Sequence, residues 1–231
     1  MESERITEGI SYKLRRNRGQ RNLRLRIDPS GGVIVSAPYH APNKEIDDFV
    51  SRSKPWIEKQ LCKVADHTYQ SGDFVPYLGE KKTLLVIEGK RASYDIVDDK
   101  IIVTAKKCAI ESVKKTIKRL YVETLEDILS ERVPHWCDRL EIDIPDFGVN
   151  RAKGKWGVCY PAEKRLYLSY MCATLPPYLI DMTVLHEVCH MVYSGHGKSF
   201  WSLMESQMPD LEERKKDLRE LVSSGWSLNI V

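Results

Sequence analysis

Residues 185–201 read LHEVCHMVYSGHGKSFW, and the reading of this stretch decides what the rest of the fold must support. His190 follows His186 by four positions, so on an α-helix both imidazoles fall on one face and can point at a common metal ion. Glu187 stands beside the first histidine, placed to reach a water held by that metal rather than the metal itself. Glycine readily takes the left-handed conformation that ends helices. The helix is therefore expected to stop near Ser194-Gly195, turning the chain back to present His196 as the third ligand. Three protein ligands leave a fourth position open for water, which separates a catalytic zinc site from a closed structural one.

A bare HExxH pattern is a weak signal, and its context is what strengthens it. Upstream, Tyr178, Asp181, Leu185, Val188 and Val192 keep a stripe at helical spacing, with Pro176-Pro177 where a helix can begin. Downstream, Phe200, Trp201, Met204 and Met208 form the buried face of another helix, which puts His196 at a stiff helix start. The competing reading is an ordinary amphipathic helix with surface or core histidines; the third histidine and the glycine before it favour metal. The spacing from first to third histidine equals that of the metzincin proteases. Tyr193 stands where those enzymes carry their linking glycine, so the metzincin turn does not transfer to this chain.

At 231 residues, 42% hydrophobic and 30% charged, the composition is that of an ordinary globular protein. No apolar run is long enough to span a bilayer, and the N-terminus lacks the apolar core of a secretory signal, so no membrane association and a cytoplasmic location are expected. Cysteines at 62, 108, 137, 159, 172 and 189 form no CxxC pair and read as reduced thiols. Cys189 faces away from the ligand pair. Cys159 is either a thiol approaching the metal from a facing strand or a buried structural one.

The net charge of +3 is too small to argue for nucleic acid, but Lys13, Arg15, Arg16, Arg18, Arg21, Arg24 and Arg26 make a basic N-terminal segment. Leu23, Leu25 and Ile27 alternate with Arg24 and Arg26, the pattern of a half-exposed strand whose outer face needs solvation. That reading is favoured over a docking surface for phosphate-rich or acidic partners, nucleic acid among them.

The periodicities predict an α+β protein. Residues 1–107 are expected to form a sheet-rich module, with a hairpin from Leu23–Ile27 to Val33–Val35 through Pro29-Ser30-Gly31-Gly32, a helix from Asn43 broken or kinked at Pro55, and strands over 83–87, 94–97 and 101–104. Gly72 to Gly79 reads as a loop. Residues 108–231 are expected to form a second domain: a long helix from Ile110 to Trp136, a small antiparallel sheet from 147–151, 156–159 and 165–168, the HExxH helix, and two further helices. A long helix, a small antiparallel sheet and a HExxH helix make a zincin-like metalloprotease domain, in which a sheet edge can hold an extended substrate. Arg151, Lys153, Lys155 and Tyr160 are candidates to contact substrate or steady the oxyanion of peptide hydrolysis.

Three blocks give the chain a resemblance to the YgjP-like metallopeptidases, a family of small intracellular proteins related to SprT-like and minimal gluzincin proteins. They are the early strands with Ala37-Pro38 and the later Trp56-Ile57, the block Arg151-x-x-x-x-Trp156-Gly157-x-Cys159, and His186-Glu187-x-x-His190 with His196 ahead of Phe200-Trp201. Val158 stands where the family usually has serine, and Ser169 where it usually has asparagine. The resemblance implies a Zn2+-dependent hydrolase with His186, His190 and His196 as ligands and Glu187 as catalytic carboxylate. Its substrate is a polypeptide or a nucleotide, since nucleoside triphosphate (UTP) pyrophosphatase activity has also been attached to the family. A nucleic-acid-binding adaptor with structural zinc is the third reading, and an intact Glu187 counts against it.

Overall fold

The computed structural model describes residues 2–27, 32–65, 69–150, 155–224 and 226, and within these the chain is a mixed α+β protein with five α-helices and three small sheets. It separates into two compact units, Met1–Thr68 and Tyr69–Val231.

In the first unit, alternation along β2 (Ile10–Asn17) puts Ile10, Tyr12 and Leu14 inward and Ser11 and Lys13 outward. The sheet runs β1-β2-β4-β3. β1 (Glu2–Thr7) is antiparallel to β2, β4 (Val33–Pro38) is parallel to β2, and β3 (Arg24–Ile27) is antiparallel to β4. The expected hairpin is therefore present, although Pro29, Ser30 and Gly31 of its turn lie outside the described residues. α1 (Asn43–Ala65) runs through Pro55 and lays the fully buried Ile46, Val50 and Ile57 on the sheet. Arg24 and Arg26 are exposed while Leu25 and Ile27 are half-buried, as a solvated strand requires. Arg16 donates to the carbonyls of Tyr39 (3.0 Å) and Ala41 (2.7 Å) and to Asn43 Oδ1 (2.7 Å), so it braces the approach to α1.

The second unit opens with the same topology. β5 (Phe74–Tyr77), β6 (Glu80–Glu88), β7 (Ser93–Val97) and β8 (Lys100–Ala105) stand in the order β5-β6-β8-β7, with the same parallel and antiparallel pairings, followed by α2 (Ile110–Arg139). β5 lies inside the Gly72–Gly79 stretch expected to be a loop; four residues containing Pro76 are too short to show a strand period. The compact units divide at Thr68/Tyr69 and not at the expected 107/108. The reason is that Leu84, Ile101 and Val103 of this sheet share one core with Val113, Ile117, Leu120 and Tyr121 of α2.

The third sheet, order β10-β11-β9, comprises β9 (Asp146–Asn150), β10 (Gly157–Tyr160) and β11 (Arg165–Ser169). It is mixed, which corrects the small antiparallel sheet expected: β10 and β11 form an antiparallel hairpin, but β9 is parallel to β11. The chain leaves β9 for the far edge before returning to the centre, and so reaches β11 in the direction of β9. Leu166 and Leu168 join Leu125, Leu129 and Val133 of α2 in a core covered by α3 (Pro177–Cys189), α4 (Lys198–Gln207) and α5 (Leu211–Ser223). Asp181 ties α3 to α2, its Oδ1 accepting from Arg132 Nε (2.6 Å) and Trp136 Nε1 (2.8 Å). Among the described residues no helix is long and apolar enough to cross a membrane.

Candidate metal centre

α3 is a core helix: Leu179, Ile180, Val184, Leu185, Val188 and Cys189 are fully buried, so His186 and Glu187 are polar groups that burial alone does not explain. Its first turn is gripped by α5, where Arg214 Nη1 donates to the Tyr178 carbonyl (2.7 Å) and the Tyr178 hydroxyl donates to Asp217 Oδ2 (3.0 Å). The helix ends earlier than expected. His190 is its C-cap in right-handed backbone, and the Tyr193 N–H donates to the Cys189 carbonyl (2.9 Å) as the chain turns. Gly195 does not take a left-handed φ, so a tight turn closed by backbone bonds replaces the glycine stop. His196 arrives immediately before Gly197, the N-cap of α4.

The three imidazoles converge. His186 Nε2 lies 3.2 Å from His190 Nε2 and 3.0 Å from His196 Nε2, and one nitrogen from each ring falls within 4.8 Å of the others. Nitrogens held at about 2.0–2.1 Å from one tetrahedral ion stand roughly 3.3 Å apart, close to these separations. His190 Nδ1 is 3.0 Å from the Tyr193 carbonyl, which only accepts, so Nδ1 carries the proton and Nε2 presents its lone pair inward. His186 Nε2, with at most one proton, can satisfy only one of its two neighbours, and a shared cation resolves the remaining repulsion. Burial, then His190, His196 and Lys215, push His186 down to about 4, and burial lowers His190 as well. Neutral imidazole is the form that ligates metal, so the donor set fits a divalent ion.

Phe200 at the base of α4 backs all three rings. It is fully buried, stacks on His190 (centroids 4.6 Å, 30°) and meets His186 and His196 edge-on at 5.0 and 4.9 Å. Its apolar periodicity marked it as core; its contact with every imidazole was not visible in the sequence.

Glu187 is 6% exposed and faces β10. A methyl group at Gly157 would press on Glu187 Oε1 and stand 2.6 Å from its Cγ and 2.7 Å from its Cδ, so any larger residue at this position must displace the carboxylate from the strand. Burial raises the Glu187 pKa to about 7, with Lys155 pulling the other way. In the sequence Gly157 stood out only as part of the Trp156-Gly157-x-Cys159 block, with no role attached, because a glycine needed for close approach looks like any other until its neighbour across the fold is known.

Of the four substrate-side candidates, Arg151 and Lys153 lie outside the described residues. Lys155 stands where its charge reaches Glu187. Tyr160 shares a sheet face with Val158 and Tyr167, and strand alternation puts that face opposite the one carrying Gly157 and Cys159. Cys159 is half-buried, its thiol pushed up to about 11 by burial and then by Glu187, and it is not a member of the histidine cluster. Cys189 is fully buried, its thiol raised to about 12 by burial, and it is not a member of the histidine cluster.

A cavity of about 360 Å³ opens beside this cluster, walled by Met182, Thr183, His186 and Glu187 of α3, Trp201 and Met204 of α4, Leu211, Lys215 and Leu218 on or bordering α5, and Lys155 to Gly157 at the start of β10.

Compared with known proteins, the chain matches the family model described as YgjP-like, metallopeptidase domain, over residues 21–221. No curated protein matches it.

Proposed function

Because the chain belongs to the YgjP-like metallopeptidase-domain family, we propose that it is a zinc-dependent peptidase of zincin type. In this reading His186, His190 and His196 hold Zn2+, and Glu187 is the general base and acid. The observation that carries it is the meeting of three imidazole nitrogens next to a buried carboxylate. α2, the sheet of β9 to β11 and α3 serve as its zincin-like scaffold.

When bound, the metal polarises a carbonyl and lowers the pKa of water toward neutrality. Glu187 takes the proton of the attacking water at a carboxylate oxygen and returns it to the departing amine. Burial against Gly157 makes that carboxylate a stronger base than an exposed glutamate. The Tyr193 carbonyl fixes the His190 tautomer, and Phe200 holds the rings in place. β10 is an edge strand among the described residues, so an extended polypeptide can pair along it and bring a carbonyl over the site. Lys155 is the group we assign to steady the charge developing on that carbonyl oxygen.

The test is elemental analysis of the purified chain together with hydrolysis assays. One equivalent of zinc, cleavage of casein, and loss of cleavage with retained zinc in Glu187→Gln are expected. Release of pyrophosphate from UTP without cleavage of any polypeptide would move the activity to nucleotides, and activity surviving Glu187→Gln would remove the general-base assignment.

A further inference from the structure

The cavity beside His186 and Glu187 has walls that select a substrate, and we infer that it receives a large apolar side chain of the polypeptide next to the bond that is cut, while excluding basic ones. This inference rests on the peptidase reading above. At about 360 Å³ it sits at the lower end of the roughly 300–1,000 Å³ of small-molecule pockets, room for one side chain. Met182, Met204, Leu211 and Leu218 line it with flexible or branched apolar surface, and Trp201 closes one side. Two of its walls, His186 and Glu187, are the reacting centre itself, so its occupant lies immediately beside the scissile bond.

Charge sets the exclusion. Lys215 lines the cavity with its Nζ 4.2 Å from the Trp201 ring centroid and 2.6 Å from Glu212 Oε1. Glu212 stands on the solvent side of this pair and is largely exposed, so water screens its offset of Lys215, and a second ammonium group entering the cavity would meet the Lys215 and Lys155 charges on its own wall. Met204 and Leu218 supply apolar wall, and Lys215 and Lys155 supply the positive charge.

The zinc-loaded full chain is tested in two ways. Peptides from a proteome digest are cleaved and the new termini read by mass spectrometry. Expected is enrichment of Leu, Met and Phe at one position flanking the cut over Ala by roughly 10–100-fold, with depletion of Lys and Arg. Leu218→Trp, on the half-buried side of the cavity, shifts that position to Ala and Gly, and Lys215→Glu admits Lys and Arg. Cleavage with no preference at either flanking position, or preferences unmoved by both variants, overturns the cavity assignment and leaves the peptidase reading intact.

Binding provides a readout independent of turnover. In protein carrying ¹³C-methyl methionine, N-acetyl-leucine amide is expected to shift the Met182 and Met204 signals and N-acetyl-lysine amide to leave them in place. No shift with the leucine probe overturns the inference even in an active enzyme. A shift in a chain that cleaves no peptide keeps the apolar cavity and discards the peptidase.

Discussion

Replacing Gly157 by alanine is the sharpest probe of the site, because it moves one carboxylate and leaves the three imidazoles untouched. The added methyl would lie 2.6 Å from Glu187 Cγ and 2.7 Å from Cδ, and would overlap Oε1. Optimal packing separations are about 3.5–4.0 Å, so the carboxylate must withdraw by roughly 1 Å. It cannot do so freely, since Glu187 is 6% exposed and α3 around it is held by a continuous core. A displacement of about 1 Å at a reacting group costs on the order of 100-fold in rate. Overpacking of this kind costs about 1–3 kcal/mol of stability. Gly157→Ala is therefore expected to fold, to bind zinc with the affinity of the parent in a chelator competition, and to lose about 100-fold in kcat on a peptide substrate. Parental kcat in a folded Gly157→Ala protein would refute the argument that the strand positions Glu187. Loss of zinc in proportion to activity would refute it differently, by showing that the substitution reaches the ligands.

Other consequences follow from the same geometry. Burial holds the Glu187 pKa at about 7 against an ordinary 4.5, so its ionisation opposes folding: the penalty is absent below pH 4.5, grows as pH rises, and is complete above about 7. At about 1.4 kcal/mol per pH unit, metal-free Glu187→Gln should exceed the metal-free parent in stability by about 3 kcal/mol at pH 8 and match it at pH 4.5, measured by urea unfolding; equal stabilities at both values would contradict the assigned burial. His190→Ala removes one nitrogen of the histidine cluster and the ring stacked on Phe200, and zinc content by elemental analysis is expected to fall well below one equivalent together with activity. Asp181→Ala strands the Trp136 indole N–H and the Arg132 guanidinium and should cost about 2 kcal/mol in urea unfolding, with Asp181→Asn recovering part of it through the remaining acceptor. No difference between these two variants would show that the bond to Trp136 contributes nothing.

The elements whose residues repeat with a clear period are legible in the sequence alone. Tyr178 to Val188 announced α3, Phe200, Met204 and Met208 announced α4, and Leu23 to Ile27 announced β3 with its solvated arginines. β5 escaped because Phe74–Tyr77 is short and carries a proline, and β1 because Glu2–Thr7 has little apolar residue content to alternate. The compact units divide at Thr68/Tyr69 rather than at the change of period for a related reason. The change of period at Ala109 marks where strands give way to a helix, whereas the limit of a compact unit depends on which elements share a core, and α2 shares one with the strands before it. The parallel pairing of β9 with β11 and the repeated four-strand topology are likewise relations between distant segments that leave no local trace.

What the sequence determined by itself is the inventory of the site: two imidazoles one helical turn apart, a carboxylate between them and a third imidazole a short turn away, since spacing on a helix is fixed by 3.6 residues per turn. Only the tertiary structure decided that the third ring swings back to within 3.0 Å of the first, that Phe200 packs against all of them, that Gly157 lets β10 close over Glu187, and that Tyr160 faces the other way. Most of these depend on contacts between residues ten to thirty positions apart, and such contacts are set by how core side chains fill space, which no local period encodes.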